Sequence, residues 1–435
     1  MKRLRKMVRG HISTLRCCTF AACFAVTPYA HAQAAAPAPR AQASIFEQNL
    51  RAASYELHIE NGRFTGSAAP ILEGAISDAK YVLVGEDHLT REIPQFTAAV
   101  CDVMAPEGLS TMVVEASPEA AKFVSSTMGK PDRLARMAAL LHQYPDSVAF
   151  LNMREENDLV EHCDHVAHNP NFQLWGLDQP FLGSAGWLLD QMLATHPGPR
   201  ASALLAHLKK EEQEDAAHAQ ETGDSSKLFL LSDSVSDTDL TQAAAILQQD
   251  ANAEANGLFS ELIESREIYR KHLQGNPESN SQRATLLKRN FRQDQEAAGS
   301  SHEQKVLVKF GDSHIYKGFN QIHQRDLGNY IAEIADAQGS ASLYICILGA
   351  KGTHPHHEGY NRPYKLEPFT LDEADFYPWL KPVVDSQISD AWTLYDLRKL
   401  RFQNLGPIDP GMERLVYGYD LLIIVPELTP ANPIR

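Results

Sequence analysis

The chain has 435 residues, 43% of them hydrophobic, which is enough apolar material for a full globular core and excludes a largely disordered chain. Its formal net charge of -15 at pH 7 repels phosphate backbones and anionic lipid. Nucleic acid and membrane surfaces are therefore not expected as partners, and a small-molecule substrate is.

The amino-terminal segment has the pattern of a secretory signal peptide. A basic stretch without acids, residues 1–16, is followed by the apolar run Cys17–Val26 and by Ala30-His31-Ala32, an A-x-A cleavage site. Residues 1–32 are therefore predicted to be the signal and residues 33–43 a flexible Ala- and Pro-rich lead. The mature protein is predicted to be periplasmic or secreted, without membrane contact once the signal is removed.

Three cysteines lie beyond the predicted signal, at positions 101, 163 and 346. An odd number of scattered cysteines allows at most one disulfide, and no pair has the spacing of a zinc site. We expect each of Cys101, Cys163 and Cys346 to be a buried apolar residue.

Short apolar runs that end in acidic residues are typical of buried parallel strands, and four of them occur. They are Tyr81–Val84 before Gly85-Glu86-Asp87-His88, Leu109–Val114 before Glu115, Phe172–Leu177 before Asp178, and Val306–Phe310 before Gly311-Asp312-Ser313-His314. The carboxyl ends of parallel strands meet at one edge of a sheet, where ligands bind. We therefore expect these acids and histidines to converge on one site.

The remaining pattern predicts an α/β fold with a mostly parallel central sheet flanked by helices and an all-helical insertion. Residues 44–185 are expected to form the first part of the core, 186–300 the helical insertion and 301–435 the second part of the core. The insertion shows no strand signal and is expected to form a lid or a substrate wall.

Several elements outside the four runs are also predicted from periodicity and turn residues. The expected helices are one or two short ones in Phe46–Ile76, then Thr90–Met104, Pro118–Met128 with Ser117 as its N-cap, segments within 130–170, and Tyr316–Ala337. Further buried strands are expected at Ser342–Leu348 and Tyr419–Val425, and Lys351–Pro368 is expected to be a loop.

The available chemistry is imidazole plus carboxylate. No Gly-x-Ser-x-Gly elbow and no glycine-rich nucleotide motif occurs, which disfavours serine hydrolases and nucleotide enzymes. His88 could take a proton from water if Glu86, Glu92 or Glu115 orients its ring, and His314 could protonate a leaving group. The same imidazoles and acids would also suit a divalent metal such as zinc, so this alternative stays open.

Each candidate also has a purely structural interpretation. Glu115 and Asp178 could cap helices that follow their strands, and Arg283 could neutralise those acids. His88 and His314 could be satisfied histidines at a loop edge. His162, His165 and His168 are interpreted as a solvated helix flank. The loop histidines 354, 356 and 357 are expected to be poorly organised for a metal, because no carboxylate partner is apparent.

The run Gly85-Glu86-Asp87-His88-Leu89-Thr90-Arg91-Glu92 resembles the opening motif of the erythromycin esterase-like family. Later segments are similar to further motifs of that family and follow in the right order: Val113–Ser117, Trp175–Asp178, Arg283–Asn290, Lys305–Lys317 and Asp420–Val425. The resemblance implies ester or lactone hydrolysis by water activated at His88, with support from Glu115 and Arg283 and without a cofactor.

Two departures from the family pattern keep alternatives open. Only Asp87 separates Glu86 from His88, a spacing closer to the related ChaN-like haem-binding proteins. The later strand ends in Gly-Asp-Ser-His, where the esterases carry His-Asn-x-His. A haem- or ligand-binding protein and a metal-dependent hydrolase are therefore the alternative predictions.

Overall fold

The computed structural model describes residues 44–299, 304–373 and 377–435. The predicted signal peptide and flexible lead lie outside these residues. Within the described ranges, no helix has both the length and the apolar character needed to cross a membrane.

Eleven strands occur in the described residues. They are β1 (Ser54–Glu60), β2 (Arg63–Thr65), β3 (Tyr81–Glu86), β4 (Leu109–Val114), β5 (Gln173–Gly176), β6 (Lys305–Gly311), β7 (Ser342–Gly349), β8 (Lys351–His356), β9 (Lys365–Thr370), β10 (Trp392–Asp396) and β11 (Leu421–Val425). Nine of them form one sheet in the order β2-β1-β10-β11-β7-β3-β6-β4-β5, and β8 and β9 form a separate hairpin.

The part of the sheet from β11 to β5 is parallel, and β10, β1 and β2 extend it as an antiparallel edge. β3 lies near the centre, and all of its residues are buried. Strands covered on both faces need apolar residues on both, which is why the runs read as continuous hydrophobic stretches.

Fifteen α-helices occur in the same described residues. They are α1 (Ile45–Ala52), α2 (Ala69–Asp78), α3 (Glu92–Met104), α4 (Pro118–Thr127), α5 (Arg133–Gln143), α6 (Arg154–Ala167), α7 (Ala185–Ala194), α8 (Pro199–Thr222), α9 (Asp237–Asp250), α10 (Ala253–Leu273), α11 (Glu278–Ala298), α12 (Leu327–Gln338), α13 (Lys381–Val384), α14 (Leu397–Leu400) and α15 (Pro410–Gly418). Apolar residues of α2, α3, α4 and α6 join one core cluster, and those of α1, α11, α12 and α15 join another. The predicted fold class, a mostly parallel sheet flanked by helices, is confirmed.

Helices α7 to α11 run from residue 185 to residue 298, and no strand lies in that described stretch. Their buried side chains form a third apolar cluster that includes Leu188, Leu205, Leu247 and Phe259. Phe291 of α11 packs instead in a core cluster of the sheet. The helical content expected there is present, and the domain boundaries stay a prediction.

Three predicted elements differ from the structure. The segment Phe46–Ile76 contains the hairpin β1–β2 between α1 and α2. The strict alternation of polar and apolar residues in Ser54–Glu60 is the pattern of a strand, which the prediction of helices overlooked. The helix expected from Tyr316 begins only at Leu327, whose N–H donates to the N-cap carboxylate of Asp326. The loop expected at Lys351–Pro368 contains the paired strands β8 and β9.

All three cysteines are buried, as expected, and the one disulfide that their number allows is formed. Cys101 of α3 and Cys163 of α6 form a disulfide between helices that are packed together. Cys346 of β7 is a buried free thiol, as expected. The pairing depends on the packing of α3 against α6, which the spacing of the cysteines does not reveal.

Candidate active site

A cavity of about 290 Å³ lies beyond the carboxyl ends of β3, β4 and β6. Six of the predicted site residues line it: Glu86, His88, Glu115, Asp178, Arg283 and His314. Its other walls come from α10 and the start of α11, and from the hairpin β8–β9. The sheet thus brings together residues that are up to 228 positions apart in the chain, as the four strand ends predicted.

The His88 imidazole lies between two carboxylates. Its Nδ1 is 3.0 Å from Oε1 of Glu86, and its Nε2 is 3.3 Å from Oε2 of Glu115. The ring stacks on Phe150, with centroids 3.9 Å apart and planes 8° from parallel. Burial alone would lower the pKa of His88, but the charges of Glu115 and Glu86 outweigh it and raise the pKa well above 6.5.

Glu115 is the acid that connects the two predicted imidazoles. Its Oε1 is 3.6 Å from Nε2 of His314, while its Oε2 faces His88 and accepts a 2.7 Å hydrogen bond from the Gly311 N–H. Burial alone would raise the pKa of Glu115, but His314, His88 and Arg283 hold it well below its usual value. Glu115 is therefore a carboxylate at neutral pH.

Arg283 holds two of the acids from one guanidinium. Its Nη2 donates to Oε1 of Glu115 at 2.7 Å, and its Nε donates to Oδ1 of Asp178 at 2.9 Å. The pKa of Arg283 is raised: burial opposes this, and the Asp178 and Glu115 carboxylates outweigh burial. Arg283 thus pairs with both acids, as predicted, through charge-assisted hydrogen bonds.

His314 is oriented from its other ring nitrogen. Its Nδ1 is 2.9 Å from Oδ2 of Asp326, the same residue that caps α12. Burial lowers the pKa of His314, but the Asp326 and Glu115 charges outweigh burial and raise it. His314 therefore holds its proton more tightly than a free imidazole does.

A buried lysine lies beneath the site. Nζ of Lys309, in the middle of β6, is 2.5 Å from Oε2 of Glu86 and 2.7 Å from Oε1 of Glu156 on α6. Burial on its own would raise the pKa of Glu86, yet Lys309 and His88 lower it. Burial, together with the charge of Glu86, raises the pKa of Glu156 to about 7 although Lys309 opposes this. Lys309 thus keeps Glu86 ionised beside His88.

Sequence reasoning missed Lys309, Glu156, Asp326 and Phe150. The detectable signal was Lys309 itself, because a lysine inside a fully apolar strand is buried and needs an acidic partner. Glu156 lies in the first turn of α6 and Asp326 is the N-cap of α12, and only the tertiary packing shows that they contact Lys309 and His314.

Glu92, the remaining predicted site residue, does not line the cavity. It lies in the first turn of α3, where its Oε1 accepts from the Thr429 hydroxyl at 2.6 Å and its Oε2 from the Thr429 N–H at 2.9 Å. Of the three acids proposed to orient His88, Glu86 and Glu115 make that contact. Glu92 instead holds the carboxyl-terminal segment against α3.

The loop histidines do have carboxylate partners, contrary to the expectation. His354 lies 2.7 Å from Asp87, His356 lies 3.1 Å from Glu367, and each distance joins the histidine Nε2 to a carboxylate oxygen. His357 is 3.3 Å from Asp146 in the same way. The His354–Asp87 and His357–Asp146 pairs link β8 and the loop after it to other parts of the chain, and the His356–Glu367 pair joins β8 to β9.

The donor set does not fit the predicted divalent metal. Two cations already neutralise the acids that such an ion would need: the partly buried Arg283 pairs with Glu115 and Asp178, and the buried Lys309 pairs with Glu86. No group of three or more His, Cys, Asp or Glu side chains within the described ranges is arranged to hold an ion.

Comparison with solved structures gives the class of fold. The chain resembles a succinoglycan biosynthesis protein, with a TM-score of 0.54 and 16% identity over 90% of this chain and 98% of that one. A Bacillus cereus protein gives a TM-score of 0.52 and 14% identity over 89% of this chain and 98% of that one.

A mutant of an erythromycin esterase, in its open conformation, gives a TM-score of 0.56 and 14% identity over 84% of this chain and 95% of that one. The predicted resemblance to erythromycin esterases is therefore confirmed at the level of the fold, which is all that such identities show. No protein-family model and no curated protein matches the sequence.

Proposed function

We propose that the protein is an exported hydrolase that cleaves an ester or lactone of a small molecule with water activated at His88. The observation that carries the proposal is the placement of Glu115 between His88 and His314 at the floor of a cavity. An imidazole base, a carboxylate that contacts it and a guanidinium are groups suited to hydrolysis by activated water.

In the proposed reaction, His88 acts through Nε2, while Nδ1 stays bonded to Glu86. Nε2 must first lose its proton, because an imidazolium cannot accept one from water. Once neutral, it takes a proton from a water molecule, and the hydroxide attacks the carbonyl carbon of the substrate. Glu115 then stabilises the imidazolium that forms, as it does in the resting state.

Arg283 supports this chemistry in two ways. It fixes Glu115 between the two imidazoles, and its positive charge offsets the negative charge that develops on the carbonyl oxygen. Asp178 fixes the guanidinium in turn. These two contacts explain why Arg283 of α11 lies at the carboxyl ends of β4 and β5.

The substrate part of the proposal follows from the cavity walls. Aromatic and aliphatic side chains surround the polar floor, including Phe150, Phe181, Leu231, Tyr269 and Phe369. A small cavity with apolar walls and a few convergent polar groups is typical of a small-molecule site.

The proposal is tested by turnover of a panel of aryl, alkyl and lactone esters by the wild-type mature chain. The matched comparison uses His88→Ala and His207→Ala, since His207 is an exposed histidine of α8 that does not line the cavity. Turnover that His88→Ala abolishes and His207→Ala leaves intact supports the proposal. Equal rates in all three proteins refute it.

A further inference from the structure

The hairpin β8–β9 contributes His354 to the lining of the cavity, in addition to His88 and His314. Nε2 of His354 lies 2.7 Å from Oδ2 of Asp87, and the ring stacks on Phe369 with centroids 3.8 Å apart and planes 11° from parallel. Asp87 and His354 both line the cavity, with side chains only 16% and 12% exposed. The pair is therefore oriented and largely desolvated, yet it faces the space that the substrate would occupy.

The Asp87–His354 pair lies near His88. Asp87 is its neighbour in the chain, directly after β3. Asp312, at the end of β6, responds to the charges of both residues: burial and Asp87 raise its pKa to about 6, while His88 opposes that rise. His88 and the Asp87–His354 pair thus flank one end of the cavity.

Ester hydrolysis needs a proton donor as well as a base, because an alkoxide is a poor leaving group unless it is protonated. The sequence suggested His314 for this role. In the structure, however, His314 is 6% exposed, Nδ1 contacts Asp326 and Nε2 faces Glu115. Its proton is held between Asp326 and Glu115, whereas His354 reaches the cavity from the hairpin β8–β9.

We propose that the Asp87–His354 pair is the general acid that protonates the leaving alcohol. The inference rests on the proposed hydrolase function and adds a catalytic residue to it. When the carbon–oxygen bond of the ester breaks, the alkoxide oxygen takes the proton of the His354 imidazolium. An N–H bond is lost and the O–H bond of the alcohol forms. Before the next turnover, the His354 imidazole regains a proton and the His88 imidazolium releases one, both through water. The Asp87 carboxylate holds the His354 ring through its Nε2.

The test compares two esters with the same acyl group, one releasing a nitrophenol and the other an alkyl alcohol. A nitrophenolate leaves without a proton, whereas an alkoxide needs one. For His354→Gln we expect kcat/KM to fall about 100-fold for the alkyl ester and by less than about 3-fold for the nitrophenyl ester. Thr353→Val, a change on the same strand outside the cavity lining, is the matched control and should leave both rates intact.

Retention of the nitrophenyl rate also shows that His354→Gln folds, so the alkyl-ester loss can be read as chemistry. Equal losses on the two esters, or no loss on either, would overturn the assignment of His354 while the hydrolase proposal stands. A wild-type protein that cleaves neither ester would instead refute the hydrolase function and the assignment together.

Discussion

Oε2 of Glu115 lies 3.3 Å from Nε2 of His88, the nitrogen proposed to accept a proton from water. These two residues follow different strands, β4 and β3, which are separated in the sheet by β6. Gly311 at the end of β6 lies between them, and its N–H donates to the same Oε2. His88 and Glu115 can therefore contact each other because Gly311, which lies between them, has no side chain.

This arrangement predicts the pH dependence of activity. Nε2 of His88 must be unprotonated to act as a base, and Glu115 and Glu86 raise the His88 pKa well above 6.5 although burial opposes them. We expect kcat/KM to rise with pH, with a midpoint above 6.5. Glu115→Gln removes one negative charge and should move that midpoint to lower pH. A pH–rate profile measures both, and an unchanged or higher midpoint in Glu115→Gln would contradict the role of Glu115.

Gly311 is predicted to be essential for the position of His88. A Cβ at this residue would lie 2.6 Å from Nε2 of His88, so Gly311→Ala has to displace the ring. We expect about a 100-fold loss of kcat/KM, since misplacing a catalytic group by about 1 Å has that effect. The free energy of unfolding should also fall, because moving the ring disturbs its contacts with Glu86, Glu115 and Phe150.

The control for Gly311→Ala is Gly74→Ala in α2, where nothing lies within 4 Å of the added Cβ. This change should stabilise the protein by about 0.5–1 kcal/mol and leave activity intact. Comparable activity of the two variants would show that His88 does not need the space at Gly311.

Lys309 is predicted to be a principal stabilising residue of the site. Lys309→Met leaves Glu86 and Glu156 buried without their cation, and removing one partner of a buried ion pair costs about 3–5 kcal/mol. Urea unfolding of Lys309→Met and of Lys122→Met measures this. The Lys122 side chain is 76% exposed, so its loss should cost less than about 1 kcal/mol. Similar values for the two variants would argue against the buried network.

The disulfide predicts a redox-dependent stability. Cys101–Cys163 links residues that are 62 positions apart, and its reduction should lower the free energy of unfolding by about 2–4 kcal/mol. Dithiothreitol should therefore destabilise the wild type but not a Cys101→Ser/Cys163→Ser variant. Equal destabilisation of both proteins by dithiothreitol would show that the Cys101–Cys163 disulfide is not its cause.

The prediction that the protein needs no cofactor is tested by removing metal ions and by adding zinc or haemin. Since Arg283 and Lys309 already neutralise the acids of the site, dialysis against a chelator should leave turnover unchanged. Loss of activity that zinc restores would favour the metal-dependent alternative. A Soret band on titration with haemin would favour the haem-binding alternative.

The parallel strands and the convergence of their ends could be predicted because buried runs such as Tyr81–Val84 are apolar on both faces. The hairpin β8–β9 was missed because Lys351–His356 combines glycine, proline and histidine, which are typical of loops. Its antiparallel pairing with Lys365–Thr370 is visible only in the folded structure. For the same reason His354 was first interpreted as a loop residue without a carboxylate partner.

The partners of the site residues were harder to predict than the residues themselves. His314 follows an apolar strand and was detectable, whereas Asp326 looked like an interior residue of a long helix. In the structure it is the N-cap of α12 and contacts Nδ1 of His314. An aspartate in either role has the same sequence signature, so only the fold separates them.

The most direct test of the central claim is chemical rescue at position 88. His88→Ala leaves a gap beside Phe150 in which free imidazole can replace the missing ring. We expect His88→Ala to lose at least about 100-fold in ester turnover and added imidazole to restore part of it, in proportion to its unprotonated fraction. Turnover by His88→Ala equal to that of the wild type, with no response to imidazole, would contradict the account.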